Sequence, residues 1–149
     1  MRIMTLKNLL IMAVVHFTAM YFLMFAMVEK TEDIFLNLNN LYMAGLMTAP
    51  MLMMEIIMAH SIYGNKLALL EILTASIVLF SLFFFFVRQQ VAINDEEFLR
   101  SMIPHHSGAL LMCKRSNIRD PEIKRLCNNI VKSQQSEIDL MKKIQDRLK

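Results

Sequence analysis

Residues 98–113, FLRSMIPHHSGALLMC, bring two histidines, two methionines and a cysteine into one short polar segment. Two adjacent histidines, His105 and His106, follow a proline; Met102 precedes them, and Met112 and Cys113 follow. Imidazole nitrogen with thioether and thiol sulfur suits Cu(I) and other thiophilic ions better than magnesium or calcium. On one helix the 3.6-residue period places Met102, His105, Ala109 and Met112 on a single stripe, with His106 and Cys113 on its shoulder. Adjacent side chains point about 100° apart, so the two imidazoles need not share an ion. Met141 lies on a later helix and completes the candidate ligands: His105, His106, Met102, Met112, Cys113 and Met141. Gln134 and Glu137 are polar positions on the inward face of that same helix. They either orient an imidazole through its second nitrogen or form a buried polar cluster that sets the register of two helices. Cys113 and Cys127 are the two cysteines, and either a disulfide or a pair of thiolate ligands accounts for them.

The run Asp95, Phe98, Leu99, Met102, Ile103, Pro104, His105, His106, Ala109, Met112 continues downstream as Gln134, Glu137, Ile138 and Met141 within SQQSEIDLM. Over about residues 95–148 this pattern resembles the bacterial DUF305 family. The resemblance implies a ferritin-like helical domain, outside the cytoplasm, with a link to copper binding or copper resistance. It does not reach the first ninety residues.

Two helices must carry these groups. Asn94 is placed to cap the first, with Glu97 three residues on as the partner of a capping box and Asp95 and Glu96 complementing the helix dipole. Pro104 falls inside the helical pattern and predicts a bend beside His105. The helix is expected to end near Ser116 and Asn117, and Asp120-Pro121-Glu122 starts the next with proline at the first helical position. Ile123, Cys127, Ile130, Gln134, Glu137, Met141, Ile144 and Leu148 then recur at spacings of four and three, the signature of an inward seam. A hairpin of this size, residues 89–149, buries little core alone. Dimerisation into a four-helix bundle, or packing on a partner, is therefore expected.

Residues 1–88 read as a membrane anchor. Apolar stretches at 9–28, 41–62 and 67–87 are each long enough to cross a hydrocarbon core of ~30 Å. Residues 63–66 alone separate the last two, which must form a tight antiparallel pair. A cleaved signal peptide is the rival for the first stretch, but no small-x-small cleavage pattern follows it. Lysines and arginines divide nearly evenly between the two sides, with Arg2, Lys7 and Lys66 facing Lys30, Arg88 and Arg100. The expected orientation has the N-terminus inside, in the bacterial cytoplasmic (inner) membrane, with an extracytoplasmic C-terminal domain.

Methionines line the first two spans. Met12, His16, Met20, Met24 and Met27 mark one helix face, and Met43, Met47, Met51, Met54 and Met58 another. They are either adaptable apolar packing or weak soft donors along a metal path. His16, Glu55 and His60 are ionisable groups inside spans, where such groups tend to mark function. Glu71, five residues after Lys66, is expected near the interface. Gly45 and Ala49 form a small-xxx-small pair for close helix approach.

Hydrophobic residues make up 56% of the 149, and only three are glycine, which together point to an all-α protein. The net charge of +3 is spread among acids and carries no nucleic-acid signature. The expected function is membrane-tethered binding of copper, with no catalytic residue required. Its expected partners are lipid, a second copy, and a copper transporter or chaperone. Three other classes remain: a structural or oligomerisation module without metal, a metal-dependent redox enzyme, and a transporter. The redox enzyme would need more helical carboxylates than Glu137, and the transporter more spans than three.

Overall fold

The computed structural model describes residues 6–58 and 66–148. Among these the chain is helical, with no strand: α1 (Leu6–Leu23), α2 (Leu38–Met58), α3 (Lys66–Gln89), α4 (Asp95–Arg115) and α5 (Pro121–Leu148). Short 3-10 turns at Met24–Met27 and Thr31–Asp33 lie between α1 and α2. The chain divides into two compact units, Met1–Leu23 with Asn39–Val91, and Met24–Leu38 with Ala92–Lys149. The sequence expectation divides the chain once, at 88. The structure sends residues 24–38 to the hairpin instead, because their charged and aromatic side chains find partners there.

Three helices of the described residues are long and apolar enough to cross a membrane: Lys7–Met27, where α1 runs into its 3-10 turn, then α2 and α3. α2 stays helical through Pro50 and buries Ala44, Gly45, Thr48, Ala49 and Ile56 along one side. Gly45 is required there, since a Cβ atom would overlap the ring of Phe83. The Thr48 hydroxyl donates back to the Ala44 carbonyl at 2.8 Å, which spares a buried polar group. Next to this contact Tyr42 packs on Phe86 with ring centroids 5.3 Å apart, and its hydroxyl donates to the Val91 carbonyl at 2.8 Å. Asn39 and Gln90 exchange amide hydrogen bonds of 3.2 and 3.0 Å. Of the expected turn at 63–66, only Lys66 is described, as the first residue of α3; the other three, and His60, lie outside the described residues.

After α3 the backbone turns through two non-glycine residues with positive φ, Gln90 at 50° and Ala92 at 58°. Asn94 then caps α4 as expected, accepting from the Glu97 amide at 2.9 Å. The reciprocal half of the capping box is replaced. Glu97 turns its carboxylate to the amide of Leu38, the first residue of α2, at 2.9 Å, so it caps a different helix. α4 continues through Pro104, which is buried, and ends at Arg115 with Ser116 as its C-cap. Asp120 accepts from the amides of Glu122 and Ile123 at 2.8 and 2.9 Å, and Pro121 opens α5.

α4 and α5 pack as an antiparallel hairpin around Leu99, Ile103, Leu110, Ile138 and Met141, with Phe35, Met102, Val131 and Ile144 against that core. The seam of α5 follows the expected one at Cys127, Ile130, Gln134, Met141 and Ile144 and departs from it at a few positions. Ile138 and Gln145 are buried, while Ile123, Glu137 and Leu148 are exposed. A charged carboxylate half in water costs less than one in the core, so Ile138 takes the position that spacing alone assigns to Glu137.

Residues 24–38 form a strap over the hairpin. The backbone amide of Glu29 donates to Ser107 Oγ at 3.0 Å, and Ser107 donates to Asp33 Oδ2 at 2.7 Å. Lys142 Nζ pairs with Asp33 Oδ1 at 2.6 Å, and Lys114 Nζ lies 3.5 Å from Glu29 Oε1. Asp33 is only 2% exposed, so this network crosses the inside of the unit. Gly108 faces the Met27 carbonyl, and its missing Cβ leaves room for the strap to approach.

Candidate functional site

His106 is the best-fixed group of the expected site. Its ring is buried on α4, with Nδ1 2.9 Å from the Met102 carbonyl and Nε2 2.7 Å from Glu137 Oε2 on α5. A carbonyl and a carboxylate are both acceptors, so the arrangement fits an imidazolium donating from both nitrogens, or one proton shared with Glu137. The His106 side chain is 10% exposed and that of Glu137 50%, which puts the pair at the rim of the hairpin. Glu137 thus contacts one nitrogen of the His106 imidazole across the hairpin. The ring's first nitrogen faces a backbone oxygen.

The other expected ligands do not converge. His105 is exposed, with its ring centroid 6.0 Å from that of His106. Met141 is buried in the hairpin core and Met102 packs against it, so both thioethers serve as apolar filling. Met112 is exposed, seven positions beyond His105, or about 10 Å along the helix at 1.5 Å per residue. Cys113 forms a disulfide with Cys127, their Cα atoms 5.2 Å apart, which decides between the two alternatives for these cysteines and removes Cys113 as a thiolate ligand in this state. Gln134 is half-buried on α5, and the carboxylate that reaches His106 is that of Glu137. Among the described residues no three histidine, cysteine or carboxylate side chains come together to hold a metal ion.

In the spans, Met43, Met47, Met51, Met54 and Met58 are all exposed, along the side of α2 opposite its buried small residues. Met12, His16 and Met20 of α1 and Met24 of the following 3-10 turn are half-buried, and Met27 is exposed. Glu55 is half-buried in α2. Glu71 lines an apolar groove of about 430 Å³ formed by Leu9, Ala13, Leu52, Ile72 and neighbouring residues of the three spans.

Sequence reasoning missed the strap network of Glu29, Asp33, Ser107, Lys114 and Lys142. Its one local signal was an acidic residue placed directly before Ile34 and Phe35, apolar residues that a solvated loop does not need.

Among the described residues, helices long and apolar enough to cross a membrane joined to an antiparallel helical hairpin define the class: an all-helical protein with a membrane-compatible part and a polar helical domain. Residues 87–145 match the family model described as "Domain of unknown function (DUF305)", and the chain belongs to that family through this C-terminal part. The uncharacterized protein L153 of Acanthamoeba polyphaga mimivirus is 37% identical over 145 residues, covering 95% of this chain and 93% of the relative. The similarity therefore includes the apolar helices as well as the hairpin. No solved structure matches the chain.

Proposed function

We propose that this chain is a membrane-tethered soft-metal-binding protein that takes Cu(I) for tolerance or for handover to a copper transporter or chaperone. The observation that carries the reading is the outward methionine face of α2. Five thioethers, from Met43 to Met58, occupy one exposed side of a span while the opposite side packs on small residues. Thioether sulfur is a weak, soft donor, suited to passing a monovalent ion along rather than holding it.

The strap supports a definite topology. It follows α1 and precedes α2, whereas the hairpin follows α3, so the two meet on one side if all three helices cross. That side is extracytoplasmic in this reading, because the Cys113–Cys127 bond suits an oxidising compartment. The membrane is then the bacterial cytoplasmic membrane or one of equivalent sidedness. His105 presents the exposed imidazole, and a second copy supplies the donors its own helix lacks. Exposed Ile123, Leu126 and Leu140 on α5 give that copy an apolar surface for a four-helix bundle.

A second reading, a structural module without metal, draws on His106 and the cysteines. Both nitrogens of His106 face acceptors and both sulfurs are consumed, which is how a hairpin is fastened. Cu(I) titration of the full-length protein in detergent separates the two. Copper binding that weakens at least tenfold in His105→Ala, and again in Met47→Leu/Met51→Leu/Met54→Leu, is expected. Wild-type protein that takes up no Cu(I) leaves the structural module as the function.

A further inference from the structure

The Cys113–Cys127 pair lies at the turn end of the hairpin, two turns along α4 from the histidines. Cys113 sits in the last turn of α4 and Cys127 in the second turn of α5, each half-buried and so within reach of solutes. We propose that this pair is a redox-convertible two-thiolate site: closed as a disulfide, and open on reduction to one soft monovalent ion of the Cu(I) class. The proposal deepens the soft-metal reading above by adding a second, gated position.

Three observations carry it. First, the hairpin does not depend on the bond for its alignment. The His106–Glu137 contact at 2.7 Å and the core of Leu99, Ile103, Leu110, Ile138 and Met141 keep α4 and α5 in register, so two thiols released at a Cα separation of 5.2 Å stay side by side. Second, the segment closed by the bond can yield. Every residue from 114 to 126 is exposed except half-buried Ile118, so widening the gap to admit an ion between the sulfurs disturbs no core contact. Third, the tip is cationic. Arg115, Arg119, Lys124 and Arg125 outnumber Asp120 and Glu122, and this positive charge suits an anionic bis-thiolate complex.

The chemistry balances with an external dithiol as reductant. Thiol–disulfide exchange transfers two electrons and two protons to the pair, giving two thiols here and a disulfide in the reductant. A Cu(I) ion then replaces the two thiol protons, which leave to solvent, and forms two Cu–S bonds with no change in oxidation state.

The test uses full-length protein in detergent, oxidised or reduced with dithiothreitol and desalted without oxygen, titrated with Cu(I) against a chromophoric chelator. Reduced protein is expected to bind one Cu(I) per chain more than oxidised protein. That increment should vanish in Cys127→Ser, and also in reduced wild type alkylated with iodoacetamide, while circular dichroism shows the helices intact. It should persist in His105→Ala, whose exposed ring takes no part in aligning the two helices. Equal stoichiometry in the two redox states, or an increment that survives alkylation, overturns the proposal. An increment in protein that binds no copper when oxidised would remove the span and His105 sites and leave this one standing.

Discussion

Residue by residue, the hairpin is held by a few polar contacts whose loss has a calculable cost. His106→Ala removes a buried ring and its contact with Glu137 and leaves a cavity between α4 and α5, so a loss of about 2–3 kcal/mol is expected in chemical unfolding. Glu137→Gln keeps an acceptor beside Nε2 and should cost about 1 kcal/mol. The difference between the two variants measures the charge-assisted part of the contact. Ala92 bears the opposite kind of effect. Its φ of 58° places an L-residue in the left-handed region, so Ala92→Gly is expected to raise stability by about 1 kcal/mol in the same measurement.

Between elements, the strap and the hairpin form one cooperative structure through Asp33. Asp33→Ala leaves Lys142 without its buried partner and Ser107 without its acceptor, at an expected cost of about 3 kcal/mol. Hydrogen exchange should then rise across residues 24–38 while the α4–α5 core stays protected; uniform exchange in both would mean that the strap and hairpin do not open separately. In the first unit, Gly45→Ala pushes a methyl group into the Phe83 ring and should lower the thermal midpoint in detergent, at a cost of about 1–3 kcal/mol. Sequence pattern anticipated only the second contact, and that in part: a small residue marked the close approach, but its partner ring was one of four consecutive phenylalanines with no local distinction.

For the whole molecule, three helices long and apolar enough to cross a membrane, with a strap between the first two that packs on the hairpin, make the proposed topology testable. Single cysteines introduced at Lys30 and at Arg147 in a cysteine-free background are expected to react with a membrane-impermeant maleimide from one side of sealed vesicles. One at Lys66 should react from the other side. Labelling of Lys30→Cys and Arg147→Cys from opposite sides would break the three-span topology. The family model begins at residue 87 and leaves out the strap, whereas the mimivirus relative aligns over 95% of the chain. The strap therefore belongs to the fuller architecture rather than to the DUF305 hairpin alone.

Hydropathy, helical period and capping chemistry act within a few residues, and these the sequence determined: the apolar helices, the starts of α4 and α5, and the closeness of an imidazole to Glu137 across a hairpin. Only the tertiary structure decided that Ile138 rather than Glu137 turns inward on α5, which oxygen Glu97 offers to which helix, and that the cysteines join. Ser107 and Asp33 stand 74 residues apart, and no local preference encodes their contact. It exists because burying a carboxylate requires an opposite charge and a donor at once, and only the folded chain brings Lys142 and Ser107 to the same point.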